Sequence, residues 1–216
     1  MIEKTIATGT HGRYLVAPAS ATPAPLLVGF HGYGESADVQ LERLRSIPGA
    51  DRWSAVSVQG LNRFYQRRGN EVIAGWMTRQ DRELAIADNL AYVAAIVDGE
   101  WEARAGSRGV MFAGFSQGVA MAFRAAAASA HTVIGVIAAG GDIPPELDRA
   151  ALARLGHVLL CRGARDEWYT SATFAHDQAR LREAGVGLTA LEFDGEHEWS
   201  DGVIHAAARF LNERVG

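Results

Sequence analysis

The pentapeptide Gly114-Phe115-Ser116-Gln117-Gly118 constrains this chain more than any other stretch. It follows an apolar run, Val110-Met111-Phe112-Ala113, and opens an Ala-rich segment from Val119 to Ala130. A strand, a tight turn and a helix in that order are the setting in which G-x-S-x-G projects its serine from a sharp, strained bend. Side chains two residues either side would collide where helix crosses strand, so Gly114 and Gly118 are needed there. Ser116 is therefore the candidate nucleophile. A chain with 24 glycines matches a bare five-residue pattern by chance at times. The alternative is an ordinary βα turn in which Ser116 only caps a helix. A base and an acid delivered to the same edge would separate the two.

With 216 residues, one domain with a full core is expected, spanning 1–216. The apolar fraction of 48% and charged fraction of 21% are those of an ordinary globular protein. A net charge of −4 gives no reason to expect nucleic acid or an anionic membrane as partner. The single cysteine, Cys161, excludes an internal disulfide and fits a reducing compartment. It lies in the apolar run His157-Val158-Leu159-Leu160-Cys161 and reads as a small buried hydrophobe. Met1-Ile2-Glu3-Lys4-Thr5 does not read as a signal peptide. No apolar run approaches the ~18 residues of a membrane helix. A cytoplasmic protein, monomeric or homodimeric and without stable membrane insertion, is the expectation.

Strands are expected at Tyr14-Leu15-Val16-Ala17, Leu26-Leu27-Val28-Gly29-Phe30 and Ser54-Ala55-Val56-Ser57-Val58. Further strands are expected at Thr132 to Ile137, at 157–161 and at Gly187 to Phe193. Helices are expected at 37–46, about 81–98, around Pro145 to Leu155, at about 170–184 and at roughly 200–213. The stretch between 58 and 81 has no clear periodicity and reads as a long loop, of the kind that is usually functional. Continuous apolar strands alternating with helices imply an α/β fold, a largely parallel sheet between two helical layers. In such sheets the chemistry sits at the carboxyl ends of the strands.

That rule selects the partners of Ser116. Seven histidines are available, and most lie in helices or before strands. His31 follows a strand but belongs to the first crossover. His197 follows the last strand after a short loop, Asp194-Gly195-Glu196, where this topology delivers a base. The acid should follow an earlier strand. Asp166 in Arg162-Gly163-Ala164-Arg165-Asp166-Glu167 is the first choice, with Glu167 and Asp142 as rivals. An ion pair with Arg165 or a helix cap is the structural alternative for Asp166. The order Ser116, Asp166, His197 is that of α/β-hydrolases. A serine hydroxyl is a poor nucleophile until a histidine takes its proton, and the histidine needs a carboxylate to fix its tautomer. The oxyanion of a tetrahedral intermediate needs two donors. The backbone N–H of Gln117 and one from His31-Gly32-Tyr33-Gly34, taken as that of Tyr33, are expected to supply them.

His31-Gly32-Tyr33-Gly34, Gly114-Phe115-Ser116-Gln117-Gly118, Gly163-Ala164-Arg165-Asp166 and Gly195-Glu196-His197 together resemble the signatures of the phospholipase/carboxylesterase family. That group includes acyl-protein thioesterases and small bacterial carboxylesterases, and the resemblance spans residues 26 to 210. It implies a cofactor-free ester or thioester hydrolase with Ser116, Asp166 and His197 as its triad. Members usually have His-Gly before the acid and Val-Pro after it, whereas this chain has Arg162-Gly163 and Glu167-Trp168-Tyr169. Glu35 stands two residues beyond Tyr33, where the family tends to have Asp closer in.

About twenty residues separate the strand at 132–137 from that at 157–161, too few for a cap domain, so an open and shallow site is expected. Trp76, Trp168, Tyr169 and Trp199 are the candidate substrate-binding aromatics, set against an ordinary core role. Arg67, Arg68 and Arg79 read as solvated charge rather than an anion-binding set. A small-molecule ester or thioester is the expected substrate. A peptidase or acyltransferase using the same triad is the alternative, and a non-catalytic binding protein a more distant one. No metal site is expected, since Glu196-His197-Glu198 lacks the second histidine of a zinc helix, and no phosphate loop implies a nucleotide cofactor.

Overall fold

The structure, a computed structural model, describes residues 1–67, 69–103 and 108–214. Seven strands form one sheet: β1 (Tyr14–Ala17), β2 (Leu26–Phe30), β3 (Ser54–Val58), β6 (Val110–Phe115), β7 (Val133–Ala139), β8 (His157–Gly163) and β9 (Gly187–Phe193). Their order is β1-β3-β2-β6-β7-β8-β9. Only β1 runs antiparallel, pairing with β3, and all other neighbours are parallel. Every residue of β2, β3 and β6 is buried, which is why these central strands are apolar runs rather than alternations.

Alternate strand residues feed two cores. On one face Val28, Phe30, Phe112, Val136 and Leu160 pack with α2 (Arg82–Glu102), α3 (Gln117–Ala128) and α5 (Ser171–Glu183). On the other, Leu27, Met111, Ile137 and Leu159 pack with α1 (Ala37–Ser46) and α6 (Asp201–Asn212). Helix α6 shows how its sequence serves this. Ser200 caps it by accepting the Val203 N–H, and Val203, Ala207, Phe210 and Leu211 lie on one buried face. Each such large side chain, fully buried, contributes roughly 1.5–3 kcal/mol. The connection from β7 to β8 holds only the short α4 (Arg149–Leu152), and no cap domain covers the strand ends.

The stretch between 58 and 81 departs from the sequence expectation. It carries an antiparallel hairpin, β4 (Asn62–Tyr65) with β5 (Val72–Gly75). All four residues of β4 are exposed, so burial imprinted no apolar pattern on it. Backbone pairing holds it instead: Gly34 N–H donates to Ala74 O at 2.9 Å, and Ala74 N–H to Glu35 O at 2.8 Å. The hairpin is thereby fastened to the loop after β2. Arg68 lies outside the described residues. Cys161 is fully buried, and burial pushes its thiol up to about 12, so it stays protonated and unreactive. No helix among the described residues is long and apolar enough to cross a membrane.

Candidate active site

Ser116 stands between β6 and α3 with φ 52° and ψ −122°, a backbone conformation that a non-glycine residue rarely adopts. The glycines around it are sterically required. A Cβ on Gly114 would overlap the Gly118 carbonyl, and one on Gly118 would overlap the Phe30 carbonyl at the end of β2. The Ser116 N–H donates to Ala139 O at 3.0 Å, tying the bend to the end of β7. Although Ser116 precedes the helix, its side chain makes no capping bond to the first turn. Its hydroxyl goes elsewhere: Oγ lies 2.9 Å from His197 Nε2.

His197 Nδ1 lies 2.8 Å from Asp166 Oδ2. A carboxylate only accepts, so Nδ1 carries the proton and Nε2 is left to accept from the serine hydroxyl. Gly140, at the end of β7 with φ 67°, leaves room for the ring: a Cβ there would lie 3.2 Å from His197 Cε1. The Asp166 side chain is fully buried. Its other oxygen accepts the N–H groups of Trp168 and Tyr169, each at 2.9 Å, which fixes the carboxylate plane. The acid turn is braced in turn by Arg162. That guanidinium donates to the Tyr169 carbonyl at 2.7 Å and the Ala164 carbonyl at 3.1 Å, and pairs with Glu192. Of the rival acids, Glu167 is exposed, and Asp142 borders the cavity without touching His197.

The loop after β2 meets the elbow directly. Gln117 is the first residue of α3, so its N–H has no earlier helical carbonyl to bond. Around Tyr33, the Gly32 N–H donates to Glu35 Oε2, the Gly34 N–H to Ala74 O and the Glu35 N–H to Gly32 O. The Tyr33 N–H alone has no acceptor among the described residues. The two segments flank Gly75, where a Cβ would lie 3.0 Å from the Tyr33 ring and 3.4 Å from Gln117 Oε1. The Gln117 side chain also bonds the hairpin's exit, accepting from Trp76 N at 2.8 Å and donating to Met77 O at 3.1 Å.

Two buried groups hold the loop in shape. His31 donates from Nδ1 to Gly32 O at 2.7 Å and accepts the Gly60 N–H at Nε2. Burial lowers its pKa, partly offset by the Gly32 carbonyl, so the ring is neutral. Burial would raise the Glu35 carboxyl, but hydrogen bonds and charge from Arg43, with the Gly32 N–H, outweigh it and hold Glu35 below the usual carboxylate range. The Arg43 guanidinium lies 4.2 Å from the centroid of Phe115, whose ring stands 5.1 Å from that of His197.

Ser116 and His197 open onto a cavity of about 300 Å³ bordered by Met77, Ala120, Pro144 and Trp168. The four expected aromatics divide. Trp168, 85% exposed, and Tyr169 border this cavity, though the Tyr169 hydroxyl is tied into the core by Asp177. Trp199 lines a separate groove on the other side of His197, beside Phe115 and Arg43. Trp76 reaches neither: it is fully buried, packs on Phe30 and His31, and donates its indole N–H to the His31 carbonyl. Its role is core: it lies just beyond β5, where its backbone N–H is held by Gln117 and its indole by the His31 carbonyl. Among the described residues no cluster of three metal-ligating side chains occurs.

No motif in the sequence marks Glu35, Arg43, Arg162 or Arg124 as a site residue. Arg124 carried a visible signal, since it is the only charged residue on the elbow helix and stands seven residues after Gln117.

A mostly parallel sheet flanked by helices, with its serine bend at the carboxyl edge, is the α/β-hydrolase fold. The chain belongs to the phospholipase/carboxylesterase family, whose model matches residues 11–214, and it is a hydrolase by that membership. Solved structures of the same shape include the Bacillus cereus carboxylesterase, with a TM-score of 0.74 and 16% identity over 94% of each chain. Zea mays acyl-protein thioesterase 2 superposes with a TM-score of 0.73 at 16% identity, over 95% of this chain and 100% of that one. Arabidopsis thaliana SOBER1 does so with a TM-score of 0.73 at 16% identity, over 89% and 100%. At such identities these likenesses establish the fold alone. Among curated protein sequences none matches this chain.

Proposed function

We propose that the protein cleaves carboxylic esters or thioesters of small or medium acyl chains through an acyl-enzyme on Ser116. The observation that carries this reading is the relay itself: Ser116 Oγ at 2.9 Å from His197 Nε2, and His197 Nδ1 at 2.8 Å from Asp166. His197 takes the hydroxyl proton as Ser116 Oγ attacks the carbonyl carbon. Asp166 holds the ring in its reactive tautomer and stabilises the imidazolium that forms. The oxyanion is received by the N–H groups of Gln117 and Tyr33, whose cost of pre-orientation the fold has already met. His197 then returns the proton to the departing alcohol or thiol. Water, activated by the same imidazole, releases the acid and restores the serine. Trp168 and Tyr169 are the aromatic surfaces nearest the substrate, and a cavity of about 300 Å³ fits an acyl group of a few carbons.

Pre-steady-state hydrolysis of 4-nitrophenyl acetate tests this. The expected trace is a nitrophenolate burst equal to the enzyme concentration, followed by slower turnover, with neither phase in Ser116→Ala. Equal turnover by Ser116→Ala and the wild type would overturn the reading.

A further inference from the structure

Helix α3 departs from its otherwise uncharged composition at Arg124. Gln117, Ala120 and Arg124 stand three and four residues apart, on one helical face, and all three border the cavity beside Ser116. Helical side chains lean toward the helix N-terminus, which carries the guanidinium back toward the elbow. Its position agrees: Arg124 Nη1 is 3.8 Å from Met77 Sδ, and the Met77 carbonyl accepts from Gln117 Nε2.

The Arg124 side chain is 3% exposed, yet its partners cover only one edge. Nε and Nη2 both turn to a single oxygen, Glu146 Oε1, at 2.7 and 2.6 Å. Glu146 itself is 43% exposed. Nη1 faces only a thioether, which is a weak acceptor. A buried cation with one edge short of acceptors is costly unless something supplies them. Arg82, on the first turn of α2, borders the same cavity; its charge acts on Glu146 and Arg124, but it makes no ion pair within 4 Å among the described residues. Asp142 also borders it and its charge acts on Arg124, but no ion pair within 4 Å joins that carboxylate to either arginine among the described residues. The cavity that receives the substrate thus holds two guanidinium groups with donors to spare.

We propose that this cavity selects esters carrying a carboxylate a few atoms from the scissile carbonyl, bound by the free edge of Arg124 and by Arg82. The planar fork of a guanidinium matches a carboxylate edge, and its weak hydration lowers the cost of doing so in a half-closed cavity. The proposal rests on Ser116 being the nucleophile, and it assigns the substrate class of that same site.

The test compares kcat/KM for matched esters that differ in charge, followed by proton release. Monomethyl glutarate against methyl valerate places the charge on the acyl side. 3-Acetoxypropanoate against butyl acetate places it on the alcohol side. The expected result is a preference of about tenfold or more for the charged member of at least one pair, as a charge-assisted contact would give. That preference should fall toward one in Arg82→Gln and in Arg124→Gln. Arg82 is exposed, so Arg82→Gln decides the matter even if Arg124→Gln fails to fold. Wild-type enzyme that cleaves the neutral esters with no preference in either pair overturns the substrate assignment while leaving the hydrolase reading intact. A preference that survives Arg82→Gln overturns it as well. Failure on all four esters by enzyme that still gives the Ser116 burst with 4-nitrophenyl acetate overturns the substrate assignment alone, and loss of that burst as well removes both.

Discussion

Glu35 meets Arg43 through two hydrogen bonds of 2.5 and 2.7 Å, and the same Glu35 Oε2 accepts the Gly32 N–H at 2.7 Å. The ion pair therefore grips the backbone one residue before Tyr33, whose N–H is the proposed second oxyanion donor. Loss of a donor outright costs roughly 100- to 1000-fold in rate, so a loosened one should cost less. Glu35→Ala should lower kcat about 10- to 100-fold with KM changed little, and Glu35→Gln, which keeps an acceptor for Gly32, should fall in between. Steady-state kinetics on a neutral ester read this directly. An Ala variant with wild-type kcat would show that the loop does not depend on the pair.

His31 gives the fold a pH dependence of known sign. Burial holds its pKa below the ordinary value of 6.5. As pH falls the unfolded chain takes up the proton first, so stability is full above that value and declines through it toward the lowered one. His157, also lowered by burial and by Arg214, adds in the same direction. Urea unfolding should give a constant free energy above about pH 7 and a decline below it. In His31→Asn the decline should be shallower. A wild-type curve flat down to about pH 5 would contradict the neutral, doubly bonded His31 described above.

Arg162, at the end of the strand before the acid turn, spans that turn from both sides. Its bonds to the Ala164 and Tyr169 carbonyls bracket Asp166 without touching it. It is a positioning residue. Arg162→Met should lower kcat more than it raises KM, and Arg162→Lys, which keeps the charge but not the planar fork, should recover part of the loss. If the variant changes only the melting temperature and leaves kcat alone, Arg162 is an ordinary core anchor.

Much of this was legible in the sequence, for identifiable reasons. The strands at Leu26–Phe30 and Ser54–Val58 fall where the residue pattern puts them, because burial on two faces writes a continuous apolar run; the half-exposed edge strands Tyr14–Ala17 and Gly187–Phe193 also fall at their expected positions. Gly114 and Gly118 were readable because their lack of a Cβ is a steric necessity of the crossing. The positions of Ser116, Asp166 and His197 followed from one rule, that parallel strands deliver their loops to a common edge. The β4–β5 hairpin was not readable, since its residues are largely exposed and backbone bonds to Gly34 and Glu35 hold it. The sequence leaves Trp76 between pocket and core for a related reason: a tryptophan in a stretch without periodicity gives no hint of which way it faces. The brace of Glu35 with Arg43 escaped because polar partners leave no pattern until the fold brings them together.

The account stands on Ser116 acting as the nucleophile of the relay. Intact-protein mass spectrometry after brief exposure to a fluorophosphonate tests it most directly. The prediction is a single phosphonyl adduct that maps to Ser116, is absent in a folded Ser116→Ala variant, and forms far more slowly in His197→Ala. A wild-type mass left unchanged, or an adduct that persists in Ser116→Ala, would contradict it.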